Sequence, residues 1–252
     1  MIIQHYVERR VKALHAVLSA ANRKTLVVGV SGGVDSAVVL SLLNALQLAY
    51  PGTYNVVPVI APIYSSKGTT GQTEATDLGY EVCSHFDNQP QEYSLSNLSD
   101  ATRSTLRIET DYVQQQLDYW LRPMAFYKVA MEHENSILIS TTNFSEWSLG
   151  WFSQYLDIFG IHPIIDLYKS EVYKLAEYFG IPESVVNTPP KGGLASGNTD
   201  EEALGFTYEQ YEQYRSGSLS PEITSLIKER IDSSEFKRFR FNRAFIFQLN
   251  NY

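Results

Sequence analysis

An α/β fold, with a doubly wound open parallel sheet carrying helices on both faces, is what three features of the sequence predict. Short apolar runs alternate with long helical patterns, as they do in βαβ units. The first run, Thr25 to Val30, is apolar at consecutive positions and rich in valine, as a strand buried on both faces should be. It opens into Ser31-Gly32-Gly33, a turn that feeds straight into a helix.

The elements follow in order. Val7, Val11, Leu14, Val17 and Leu18 fall at helical spacing, so a helix is expected over Ile3 to Ala21. After the first strand and its turn, Val34 to Leu48 reads as a helix ended by Pro51-Gly52, and Asn55 to Ile60 as a second strand. This βαβ unit should be right-handed. Pro62 to Thr70 is a polar loop, Gly71 to Ser84 a helix, and Asn88 to Asp100 an irregular polar stretch. Arg103 to His133 is mostly helical, with Pro123 expected to kink or break it. Ser136 to Ile139 is a third strand, followed by the polar turn Ser140 to Asn143. Helices are expected near Glu146 to Tyr155, Lys169 to Phe179, Glu201 to Tyr214 and Pro221 to Asp232. Asn187 to Asp200, with two prolines and three glycines, reads as a long loop, functional or mobile. No repeat or domain boundary appears, so residues 1–252 read as one domain.

Composition narrows the classes. A net charge of −8 speaks against a general nucleic-acid binder, which would present a basic face. The single cysteine, Cys83, has no internal disulfide partner and fits a reducing, cytoplasmic setting. It lies in an apolar stretch and reads as a packed thiol. Met1 to Ala21 carries Glu8, Arg9, Arg10 and Lys12 and is no secretory signal, and no apolar run is long enough to span a membrane. The five histidines show no metal-ligand spacing.

The most informative segment is Ser31-Gly-Gly-Val-Asp-Ser36, at the carboxyl end of the first strand, where open α/β sheets bind ligands. Gly32 and Gly33 permit a tight turn and close approach of the backbone to a ligand. The first N–H groups of the following helix, from Val34 on, lack intrahelical partners and form an anion site. Ser31 and Ser36 add hydroxyls. Asp35 would repel a bare phosphate but makes sense as a Mg²⁺ ligand, since Mg²⁺ takes carboxylates together with phosphate oxygens. No Gly-Lys-Ser/Thr follows, so this is not a Walker loop.

The segment resembles the SGGxDS signature of the N-type ATP pyrophosphatases, whose Rossmann-like fold is that of the adenine nucleotide alpha-hydrolases. Further matches narrow the likeness to the ammonia-dependent NAD synthetases. Thr141-Thr-Asn-Phe-Ser-Glu146 is similar to that family's GTxNxxE, with Ser140 in place of its glycine. Leu149 to Phe152, Pro163 to Lys169, Phe179 to Glu183, Thr188 to Leu194 and Thr199 to Gly205 resemble its LGYFT, PIADLYK, LGVPE, KPPSAGL and TDEEELG stretches.

The resemblance implies roles. Asp35 and Glu146 would hold Mg²⁺, Ser31, Asp35 and Lys169 would act on the phosphates, and Thr141 and Lys191 would contact ATP. Arg122, Gln154, Asp157 and Lys237 would face the acid substrate. It implies ATP, deamido-NAD and ammonia as substrates and a homodimer as the assembly. Residues 1–24 leave no room for an amidase domain, so free ammonia or a separate glutaminase is the implied nitrogen source.

Departures from the family pattern gather on the acid side. Lys191 stands where the family has a Ser or Thr, Gln154 where it has a lysine, and Gly160 near its aspartate. The C-terminal HKR becomes Phe236-Lys237-Arg238, and Trp120 replaces an arginine near Arg122, with Pro123 interrupting the usual methionine. The Mg²⁺ and pyrophosphate side is largely kept, though Lys191 changes an ATP contact. Two alternatives to deamido-NAD amidation therefore stay open here: an adenylating amidase for another carboxylate, and a nucleotide-binding regulator without turnover.

Overall fold

The structure, a computed structural model, describes residues 3–64, 72–152, 159–190, 199–214 and 217–238. Its centre is the expected parallel sheet. Strands β1 (Thr25–Gly29), β2 (Asn55–Ile60), β3 (Gln91–Glu92) and β4 (Ser136–Ile139) lie in the order β3-β2-β1-β4, all parallel. Thr25 sits opposite both Asn55 and Ser136, so β1 is the register strand for its two neighbours. From β1 the chain winds outward through β2 to β3, then returns to place β4 on the other side of β1. The topological switch point therefore lies between β1 and β4.

Successive residues of each strand face opposite sides of the sheet. Leu26 and Val28 of β1 pack with one set of helices, α1 (Ile3–Ala20), α2 (Val34–Ala49), α3 (Gln72–His85), α7 (Lys169–Tyr178) and α8 (Glu183–Val186). Val27, with Val57, Val59 and Leu138, packs on Val129 and Ala130 of α5 (Asp111–Met131) on the other face. Both faces are covered, which is why the strands read as unbroken apolar runs rather than alternating ones. A third cluster joins Leu149 to Phe206, Tyr208, Tyr211 and Ile227. It ties α9 (Asp200–Leu204), α10 (Tyr208–Tyr214) and α11 (Pro221–Ser233) to Leu149, just past α6 (Phe144–Ser148), and α12 (Glu235–Arg238) packs on α11.

Four expectations are corrected. The stretch 88–100 is not irregular throughout: it holds β3 and the start of α4 (Ser96–Thr105). The helix α4 escapes the apolar pattern because polar groups anchor it. Ser99 Oγ donates to Asp118 at 2.6 Å, and Gln114 Nε2 donates to the Ser99 carbonyl at 3.1 Å. Next, 103–133 is two helices, and Pro123 lies buried inside α5 without ending it, flanked by buried Leu121, Ala125 and Val129. The helix expected near 146–155 stops at Ser148, where Leu149 caps it and Gly150 turns left-handed at φ 62°. Its last expected residues, 153–155, lie outside the described residues. Finally, 201–214 is split by Gly205 at φ 80°, and Thr207 and Gln210 then cap the start of α10 reciprocally.

Cys83 is buried, and burial pushes its thiol up to about 12, as befits a packing residue rather than a nucleophile. Among the described residues no helix is long and apolar enough to cross a membrane.

Candidate active site

The turn after β1 is built by its own serines. The Ser31 N–H donates to Ser36 Oγ at 3.2 Å, Gly33 N–H donates to Ser31 Oγ at 3.3 Å, and Ser36 Oγ donates to the Gly33 carbonyl at 2.8 Å. Gly32 sits at φ 82°, a left-handed conformation that favours glycine. Gly33 is the N-cap of α2 and supplies no side-chain acceptor, so the first N–H groups of that helix, beginning at Val34, stay available to an anion.

Asp35, in the first turn of α2, faces two residues that arrive from far along the chain. Its Oδ1 accepts from Asn143 Nδ2 at 2.8 Å, and its Oδ2 accepts from Lys169 Nζ. Lys169 Nζ is also 3.7 Å from Glu146 Oε1. Local structure explains how they meet. Asn143 and Glu146 form a capping box at the start of α6, just after β4, with Glu146 N–H donating to Asn143 Oδ1 at 2.9 Å and Asn143 N–H to Glu146 Oε2 at 3.2 Å. Lys169 opens α7, its backbone N–H bonded to Ser145 Oγ at 3.1 Å. The β1 and β4 ends flank the switch point, so Asp35 and Glu146 converge there.

The electrostatics are those of a crowded, largely buried site. Lys169 has a side chain 3% exposed, and Glu146 one 17% exposed. Burial and the Asp35 charge raise the Glu146 pKa, against the pull of Lys169 and the Asn143 N–H. Burial alone would lower Lys169, but Asp35 and Glu146 outweigh it and hold the ammonium charged. The Tyr208 ring lies 5.4 Å from Lys169 Nζ, and the Tyr208 hydroxyl donates to Asp200 Oδ2 at 3.3 Å.

Sequence reasoning placed Ser31, Gly32, Gly33, Val34, Asp35, Ser36, Glu146 and Lys169 in one site, and the structure gathers them. Thr141 lies half-buried between β4 and α6 at the same edge of the sheet. Arg122, on α5, reaches the end of β2: its Nε donates to the Ala61 carbonyl at 3.2 Å and an Nη donates to Gln72 Oε1 at 2.8 Å. Lys237 is bound to the turn after α6, with Nζ donating to the Gly150 carbonyl at 2.9 Å and to the Phe152 carbonyl at 3.0 Å. Gln154, Asp157 and Lys191 lie outside the described residues.

Asn143, Tyr208 and the buried Asp200 were not singled out from sequence. The Asn143 signal was present, since Asn-x-x-Glu ahead of a helix is a capping pattern. Tyr208 gave none, being one aromatic among many, whereas Asp200 lies in the TDEEELG-like stretch but its burial does not show there.

Residues 6–240 match the family model described as NAD synthase. The chain belongs to that family. Among this NAD synthase chain's relatives, the NH(3)-dependent NAD(+) synthetase of Finegoldia magna is 30% identical over 93% of each chain. That of Alkaliphilus metalliredigens is 34% identical, covering 92% of this chain and 94% of its own. The solved structure of the NMN synthetase of Francisella tularensis superposes with a TM-score of 0.84 at 25% identity, covering 94% of this chain and 96% of that one. The NAD synthase fold thus extends over nearly the full length described.

Proposed function

We propose that the chain is an ammonia-dependent NAD synthetase, which uses ATP to adenylate the nicotinate carboxylate of deamido-NAD and ammonia to convert the adenylate to NAD. The observation that carries this reading is the meeting of the Ser31–Ser36 turn with Asp35, Glu146 and Lys169 at the switch point of the sheet.

In this reading the ATP phosphates rest on the N–H groups at the start of α2 and on the hydroxyls of Ser31 and Ser36. A nicotinate carboxylate oxygen attacks the α-phosphorus, the bond from that phosphorus to the bridging oxygen breaks, and pyrophosphate departs into the turn. Lys169 offsets the charge that develops there. Ammonia then attacks the acyl carbon with its lone pair, the bond to AMP breaks, and the nitrogen sheds one proton. Asp35 and Glu146 fit a divalent cation: they turn two hard oxygens, Oδ2 and Oε1, toward one cationic group, and burial together with the Asp35 charge raises Glu146. Mg²⁺ bound by them would neutralise phosphate charge. The family likeness would assign Thr141 and Lys191 to ATP, and Arg122, Gln154, Asp157 and Lys237 to the acid.

The test is direct. Incubated with MgATP, ammonia and deamido-NAD, the protein should yield NAD, AMP and pyrophosphate in equal amounts. ADP as the nucleotide product would sink the reading. Nicotinate mononucleotide belongs in the same assay as a second acid, because a solved relative is an NMN synthetase and Lys237 is engaged by two carbonyls of its own chain. Preference for the mononucleotide would reassign the acid and leave the chemistry standing.

The proposed assembly is a homodimer, and the proposed setting the cytoplasm. Trp120, Met124, Tyr127 and Met131 repeat at spacings of four, three and four along α5 and are 39%, 58%, 53% and 62% exposed. Such a stripe suits packing against the same helix of a second copy. Met124→Glu should weaken self-association at least about tenfold, read by sedimentation velocity. An unchanged dimer would move the interface elsewhere.

A further inference from the structure

We infer that Lys169 is a place-holding cation: its ammonium occupies the two carboxylate oxygens that would take the divalent metal and keeps metal out until nucleotide draws it away. This rests on the reading of Asp35 and Glu146 as the metal-bearing pair.

The geometry divides four carboxylate oxygens into two sets. Asn143, fully buried, claims Asp35 Oδ1 through its Nδ2 and Glu146 Oε2 through its backbone N–H. Those bonds fix both carboxylates in place. The remaining two, Asp35 Oδ2 and Glu146 Oε1, are the ones Lys169 Nζ meets. Each Asn143-bound oxygen has one lone pair already taken, so a divalent ion seeking both carboxylates is best served by the same two oxygens that face Lys169. An ammonium and a metal ion cannot share that position in so buried a site, where like charges repel strongly. Lys169 also starts from a fixed base, since its backbone N–H is held by Ser145 Oγ. Only the four-carbon stem has freedom to swing, and the Ser31–Ser36 turn beside Asp35 is where phosphate would attract it. Nucleotide and metal are therefore expected to bind together, each strengthening the other through one lysine.

Mn²⁺ serves as the probe, its binding followed by electron paramagnetic resonance on the full chain without nucleotide. Lys169→Met should bind Mn²⁺ about tenfold to a hundredfold more tightly than wild type. Lys169→Arg, which keeps the charge, should stay at the wild-type level. Removing the cation leaves two half-buried carboxylates facing each other. Lys169→Gln therefore carries the same measurement should Lys169→Met lack native circular dichroism. No gain in either neutral variant overturns the inference, as does a gain in Lys169→Arg equal to theirs. A separate arm adds α,β-methylene-ATP to wild type and Asp35→Asn. If both take Mn²⁺ equally with the analogue, the carboxylate assignment itself fails. If Asp35→Asn loses that site while the neutral Lys169 variants gain nothing, only the place-holding role is lost.

Discussion

Asp35→Asn is expected to cut pyrophosphate release at least about 10³-fold while leaving the fold intact. The substitution changes one oxygen to an amide nitrogen at nearly constant volume, so packing at the start of α2 is preserved. Its effect is on charge. Asp35 Oδ2 is the closest counter-charge to Lys169 and one of two hard donors for a divalent ion. An amide donates where a cation should be held, and the bridge from protein to phosphates is lost. The fold survives because Lys169 keeps Glu146, 3.7 Å away, as its remaining partner. Coupled phosphate detection reads the rate, and far-ultraviolet circular dichroism the fold. Wild-type turnover in this variant would remove Asp35 from the chemistry altogether.

The parts of this molecule that sequence made legible are those where a local pattern and a tertiary role coincide. The β1 strand, the Ser31–Ser36 turn and α2 are read from consecutive apolar residues, two glycines and a helical stripe, and each is where it was expected. The same holds for β4 and for the approach of Glu146, whose motif follows a strand that must lie beside β1 for a site to form. What was hidden depended on contacts between distant polar groups. The helix α4 has no apolar face to announce it and is held by Ser99, Gln114 and Asp118. Asn143 sits in the Thr141 to Glu146 motif, yet its bond to Asp35 spans 108 positions and no spacing rule reveals it. Glycine endings also escaped the helical pattern: Gly150 and Gly205 stop helices whose periodicity seemed to continue. Phosphate chemistry was thus readable because backbone turn and side chain are contiguous there, while the bracing of the carboxylates was not.

Gly32→Ala should destabilise the protein by about 3 kcal/mol and abolish nucleotide binding in what remains folded. Gly32 holds φ 82°, where a β-carbon is strained whatever the space around it. Here the space is also closed. A β-carbon at Gly32 would lie 2.2 Å from the Ala75 carbonyl oxygen and 3.0 Å from the Leu78 β-carbon. Both belong to α3, whose own Gly79 stands with its β-position 3.6 Å from the Gly32 nitrogen, so helix and turn approach through paired glycines. The atom in the way is backbone, and relief requires moving α3 or unwinding the turn. Either displaces the N–H groups that would receive phosphate. Gly33→Ala is the internal control. Gly33 has φ −89°, and the nearest atom to its β-position is Ser31 Oγ at 3.5 Å. Its stability should stay within about 1 kcal/mol of wild type. Urea unfolding of the two variants side by side separates the causes, because they add the same methyl group one residue apart. Equal stability would mean that the turn tolerates a side chain at Gly32, and the close packing of α3 on the phosphate loop would no longer explain the glycine there.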